Sequence, residues 1–255
     1  MGTLTTTAAI PTTTDRARLK DGIHIELSPR RVRTYFGGKL IADSERVLLV
    51  YESRRPPAYW FPIRDIHMEH LEQKAEVEPG LTRWRIRVGD RVAENGARAY
   101  TNPMGDLEAL EGHLTFYWNE MDAWFEEDQE VFVHPRDPYT RIDTVNSSKH
   151  VEIKVDGVTL ADTRRPVLLY ETGLPTRYYI PKQDVRMDLL EPTETHTRCP
   201  YKGVASYWSL RLGDKLVKDV VWSYPTPIQE CTRIENMLSF YPDKVELYVD
   251  GVRTA

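Results

Sequence analysis

The run Cys199-Pro-Tyr-Lys-Gly203 brings a thiol, a phenol, an ammonium group and a glycine together in one short stretch. Lys202 can offer its ammonium to an anionic group, or act as a base where burial depresses its pKa. Gly203 admits a positive φ and lets the backbone approach a ligand closely. The same run also reads as a tight turn carrying an exposed lysine. Cys199 is a candidate nucleophile: the cation of Arg198 beside it favours a thiolate, and His196 is the nearest base in the sequence. A proline directly after Cys199 suits a buried structural cysteine equally well. Cys199, Cys231 and His196 include no Cys-x-x-Cys pair, so neither a metal site nor another cofactor is expected.

Tyr207-Trp208 and Trp222-Ser223-Tyr224 add rings close to this run. Aromatic walls with a few convergent polar groups describe a small-molecule pocket, and they also describe an ordinary core. The expected lining is Tyr201, Lys202, Trp208, Trp222 and Tyr224, with Arg165 and Glu171 as charged partners. Arg165, Glu171 and Asp184 have a structural reading too, because Arg-carboxylate pairs are common devices for holding a fold.

These residues need a rigid frame, and the pattern around them is that of strands. His150-Val-Glu-Ile-Lys-Val155 alternates polar and apolar, then breaks at Asp156-Gly157, the signature of a hairpin whose turn takes positive φ twice. Val167-Leu-Leu-Tyr170 and Arg177-Tyr-Tyr-Ile180 are rich in β-formers. Pro181 and the spacing of Val185, Leu189 and Leu190 predict a short helix over Lys182–Glu191. Gly213-Asp214 joins a second hairpin, and Pro242-Asp243 is expected to join a third between Met237–Tyr241 and Val245–Val249. Alternation places Trp222 and Tyr224 on one face and Ser223 on the other.

The frame is written twice. Gly38-Lys-Leu-Ile-Ala-Asp-Ser recurs as Gly157-Val-Thr-Leu-Ala-Asp-Thr, and the offset from 38 to 157 holds without a gap from Ser28/Ser147 to Glu72/Glu191. It pairs Arg46 with Arg165, Glu52 with Glu171, Pro62 with Pro181 and Asp65 with Asp184. Beyond Trp84/Trp208 the offset is longer, pairing Tyr100 with Tyr224 and Phe116-Tyr117 with Phe240-Tyr241. The first copy therefore lacks the segment around Cys199–Gly203, which moves the shared residues towards structure and the missing segment towards function. The expected organisation is a Thr-rich tail and lead-in over 1–27, copy one over 28–127, a linker over 128–146 and copy two over 147–255, the two copies packing on each other. The tail has no basic region followed by an apolar core, so it reads as disordered and not as a signal peptide.

With 255 residues, 40% hydrophobic and 29% charged, each half can bury its own core. The net charge of −5 argues against a nucleic-acid partner, and no apolar run is long enough for a membrane span. Two cysteines exclude a disulfide framework and fit a reducing cytoplasm. Gly37-Gly38-Lys39 lacks the strand-loop-helix setting of a phosphate loop.

Tyr178-Tyr-Ile-Pro181-x-x-Asp184-Val185, then Cys199-Pro-Tyr-Lys-Gly-Val-Ala-Ser-Tyr-Trp208, then Trp222-Ser-Tyr224, Phe240-Tyr-Pro-Asp243-Lys-Val245 and Asp250-Gly251 together resemble the DUF427 family over essentially all of copy two. Copy one matches more weakly. It keeps Phe61-Pro62-Ile-Arg-Asp65 and Phe116-Tyr117 but reads Arg98-Ala-Tyr100 where copy two has Trp222-Ser-Tyr224. The resemblance implies a mainly β protein of two tandem antiparallel β-tent-like domains, each with about one short helix. Such families are sometimes labelled nucleotidyltransferases, although this chain shows neither an Asp-x-Asp for Mg²⁺ nor a Gly-Ser loop before a helix. Three functions fit: binding of, or action on, a small polar or anionic molecule in a groove of copy two; a non-catalytic tandem module for protein interaction; and nucleotidyl transfer.

Overall fold

A computed structural model describes residues 22–52, 55–74 and 80–254. They divide into two compact units at Asp137/Pro138. Both units are mainly antiparallel β-structure, and neither closes into a barrel. The Thr-rich tail lies outside the described residues.

In the first unit a seven-stranded sheet runs Ile23–Leu27, Leu48–Glu52, Ala58–Pro62, His113–Phe116, Arg91–Tyr100, Leu81–Val88, Leu71–Gln73. A four-stranded sheet runs Gln129–Val131, Ala123–Glu126, Val32–Phe36, Lys39–Ser44. The second unit repeats both. Its large sheet runs Ile142–Asn146, Val167–Glu171, Arg177–Tyr179, then Leu238–Phe240, Lys215–Ser223, Gly203–Leu212, Leu190–Cys199. The two parts are joined by paired backbone hydrogen bonds between Ile180 and Leu238. Its small sheet runs Val252–Arg253, Glu246–Val249, Val151–Val155, Val158–Thr163.

The expected alternation is visible as burial. Val151, Ile153 and Val155 are buried while Glu152 and Lys154 are only partly covered, and Val32–Phe36 does the same in the first unit. Asp156 and Gly157 close this hairpin at φ of 49° and 78°, as Gly37 and Gly38 do at 58° and 73°. In the second unit one core lies between the two sheets, built on Val151, Ile153, Leu160, Val221 and Leu238. A second core covers the other face of the large sheet, where Tyr179, Tyr207, Trp222 and Tyr224 pack under Cys231 and Ile234. Those last two come from the 3-10 segment Gln229–Ile234. The strand Lys215–Ser223 is thus covered on both faces near its end, with Val221 in one core and Trp222 in the other.

Three expectations change, and one strand is unforeseen. The helix over Lys182–Glu191 is two 3-10 turns, Lys182–Asp184 and Met187–Leu189, because Leu190 already enters the next strand. All helical segments among the described residues are of this kind. The expected third hairpin is a sheet-to-sheet crossing: Leu238–Phe240 pairs with Lys215–Ser223, whereas Glu246–Val249 pairs with Val151–Val155. Leu190–Cys199, polar and carrying Pro192, is a ten-residue strand at the sheet edge, where an unpaired proline nitrogen costs nothing. The linker over 128–146 has a strand at each end, Gln129–Val131 finishing the first unit and Ile142–Asn146 opening the second. The counterpart of the latter, Ile23–Leu27, lies in the lead-in, so the repeat begins earlier than its residue identities show. No helix among the described residues is long and apolar enough to cross a membrane.

Candidate functional site

Lys202 sits in the turn between the strands Leu190–Cys199 and Gly203–Leu212. Its backbone is held on both sides: its N–H donates to Cys199 O, and its carbonyl accepts from Ile228 N–H. Gly203 follows at φ 103°, and a Cβ there would lie 3.2 Å from the Thr226 carbonyl, so the turn needs glycine. This fixes the lysine inward. Nζ lies 2.6 Å from Glu171 Oε2, with both side chains only about a tenth exposed.

Around the pair stands a set of hydrogen-bond donors. Trp222 Nε1 donates to the Tyr179 hydroxyl at 3.2 Å, and Tyr207 shares its hydroxyl with Thr197 at 2.7 Å and Tyr241 at 3.3 Å. Burial pushes the Tyr179 and Tyr224 phenols far up, and pushes Tyr241 up to about 12, so all three remain protonated at neutral pH. Cys231 gives its S–H to the Tyr201 carbonyl at 3.4 Å, and burial lifts its thiol to about 11. Cys199 packs at the margin of the same core. His196 is three residues along an extended strand from Cys199, which turns the two side chains to opposite faces.

Glu171, Tyr201, Lys202, Trp222, Tyr224 and Cys199 therefore belong to one region of the second unit. Two expected residues stand elsewhere. Arg165 gives Nε and Nη2 to Asp184 at 3.0 and 2.8 Å, joined by the Thr163 hydroxyl, and Arg46, Asp65 and Ser44 repeat the arrangement in the first unit. Trp208 packs on the core between the sheets, with the Lys182 ammonium 5.5 Å from its ring centre.

A cavity of about 360 Å³ opens in the second unit against the core between the sheets, at Ile153, Tyr178, Phe240, Val245 and Leu247, with Arg177 on its wall. The Arg177 guanidinium also lies 5.6 Å from the Trp222 ring centre, so one side chain touches both the cavity and the aromatic core. A scan of motifs within one copy passes over Arg177. Comparing the copies exposes it: Arg177 stands where copy one has Ala58, and Trp222 where copy one has Arg98. Each copy thus has one arginine, moved between two positions.

The first unit has a cavity in the same place, about 340 Å³, lined by the counterparts Ala58, Tyr59, Thr115 and Phe116. It reaches further than the second, to Glu52 and Arg98. Arg98 Nη2 donates to Glu52 Oε1 at 3.0 Å. The carboxylate at this position is thus paired in both copies, by Lys202 from a turn in one and by Arg98 from a strand in the other.

A family model described as a domain of unknown function, DUF427, matches residues 24–127 and 143–251. The chain belongs to the DUF427 family, as a tandem two-copy member. No curated protein matches it. The first DUF427 match starts inside Ile23–Leu27 and the second inside Ile142–Asn146, so each takes in most of the edge strand whose residues differ between the copies. Elsewhere in the second DUF427 repeat, His150, Glu152 and Asp162 bring ligand atoms within 4.8 Å of one another on the hairpin surface. His150 is bonded to Asp162 there, and Glu152 to Lys154.

Proposed function

We propose that the second DUF427 repeat binds a small polar, anionic molecule in the groove beside Arg177, whose guanidinium also touches the aromatic core that the Lys202–Glu171 pair orders. The observation that carries this reading is the buried pair itself. Ion pairs taken out of water are seldom kept for stability, since apolar replacements of similar volume are commonly neutral or better. A carboxylate kept in both copies, about a tenth exposed in one and about a quarter exposed in the other, and neutralised by a different cation in each, points to a use beyond the fold. The cavity wall supplies the donors: the Arg177 guanidinium and the hydroxyls of Thr176, Tyr178, Ser239 and Thr254. Donor-rich walls with aromatic faces suit an oxygen-rich anion.

A thermal-shift panel of inorganic phosphate, citrate, and nucleoside mono- and triphosphates tests the reading. An anion that raises the melting temperature of the wild type is expected to lose that effect in Arg177→Ala. It is also expected to lose it in the pair replacement Lys202→Met with Glu171→Gln, which leaves no unpaired charge. A shift that survives both changes, or no shift with any member, counts against it. Calorimetric heat from nucleoside triphosphates seen only with Mg²⁺ would favour nucleotidyl transfer instead.

A further inference from the structure

We propose that the first repeat holds a binding site of its own, for a small aromatic carboxylate, in the cavity at Arg98. The site stands independently of any binding in the second repeat.

The charge is set by three residues. Glu52 presents Oε1 to Arg98 at 3.0 Å and Oε2 to Arg55 Nη1 at 3.1 Å. Both of its oxygens are engaged, and the three groups together leave one positive charge on the cavity wall. Arg98 is four-fifths covered, lying 5.7 Å from the Trp60 ring centre and 5.9 Å from that of Tyr117. These are the counterparts of Tyr179 and Tyr241, on which Trp222 packs in the second repeat. A guanidinium therefore occupies the place of an indole, beside the same two neighbours. Its single hydrogen bond among the described residues uses Nη2, so the fork retains donors for a carboxylate.

The apolar part of the ligand follows from the remaining walls. Trp118 and Trp124 stack at 4.7 Å with their planes 4° apart, and Tyr59 lies 5.8 Å from Trp124. All three line the cavity. Its volume is at the lower end of ligand pockets, which suits one or two fused rings. The segment Val133–Pro135 closes one side. Val133 has φ 75°, a conformation strained for a β-branched residue, in a turn closed by His134 N–H to Phe132 O. Strain of this kind persists where surrounding structure enforces it, and it gathers at ligand clamps.

Titration calorimetry on the full chain with indole-3-carboxylate, indole-3-methanol and inorganic phosphate tests the proposal. The carboxylate is expected to bind, with the neutral ring and the bare anion each at least about tenfold weaker, since a charge-assisted pair and the ring contacts are both needed. Arg98→Lys keeps the charge and loses the fork, and Arg98→Met with Glu52→Gln removes the pair without leaving a lone carboxylate. Both are expected to weaken binding about tenfold or more, while Arg177→Ala leaves it unchanged. The proposal is overturned if the wild type binds no indole-3-carboxylate at millimolar concentration. Equal binding of indole-3-methanol overturns it as well, as does phosphate binding of equal strength that persists in Arg177→Ala, or carboxylate binding lost in Arg177→Ala but kept in the Arg98 variants.

Discussion

Glu171 and Glu52 occupy one position in two copies, and each is neutralised by a cation from a different part of the chain. Removing only the cation leaves a charge with little water to solvate it. Lys202→Ala is therefore expected to destabilise the second unit by about 3–5 kcal/mol, whereas Lys202→Met with Glu171→Gln costs far less. Urea denaturation of both variants distinguishes them, and equal losses would mean the pair is not buried as described. Cys231 gives a second reading of the same region. With its thiol at about 11, only about one molecule in a thousand carries the thiolate at pH 8, and the side chain has no exposed surface. Ellman's reagent is expected to modify Cys231 only after unfolding. Rapid modification of both cysteines in the native protein would contradict the packing of Gln229–Ile234 over the aromatic core.

At the scale of elements, the Arg-Asp staple joins the strand end at Thr163 to the first 3-10 turn, and it does so in both units. The hydrogen bond from Arg165 holds the Asp184 carboxyl below the ordinary carboxylate range, against the opposing effect of its partial burial. Folding thus favours the ionised form. Its contribution is complete above the unfolded value of about 3.9 and is lost as pH falls through the lowered folded value. Arg165→Gln is expected to melt below wild type at pH 6, and the gap is expected to narrow at about pH 2.5. A gap equal at both values would assign the effect to lost packing. The staple was readable because its residues recur at a fixed offset, and so were the Asp156-Gly157 hairpin and the shared face of Trp222 and Tyr224. Leu190–Cys199 was not, since an edge strand open to water needs no apolar alternation, and Pro192 argues against a strand until its edge position is known. Arg177 was hidden for another reason: it is ordinary within its own copy, and only its exchange with Ala58, set beside that of Trp222 with Arg98, marks it.

For the whole molecule, the repeat unit is longer than its identities suggest. Ile142–Asn146 shares almost nothing with Ile23–Leu27, yet each pairs with the strand carrying the ion-paired glutamate, through Ile142 opposite Glu171 and Ile23 opposite Glu52. Backbone pairing is indifferent to side chains at an edge, so the element survives while its residues drift. Ile142 also packs on the aromatic core, and Arg233 Nη1 donates to the Thr144 carbonyl at 2.9 Å. A chain of residues 138–255 is therefore expected to fold alone, with its own core and both sheets. A chain of residues 147–255 lacks this strand, leaves the outer edge of Val167–Glu171 unpaired and frees the backbone that sets Glu171. It is expected to melt about 10 °C or more below the longer chain, as the loss of about 2 kcal/mol from a domain of this size requires. Its near-ultraviolet circular dichroism, which reports the fixed Tyr and Trp rings, is expected to weaken as well. Equal melting and equal ring signals would show that the strand is dispensable, and that Lys202 and the 3-10 cover suffice to hold the glutamate in place.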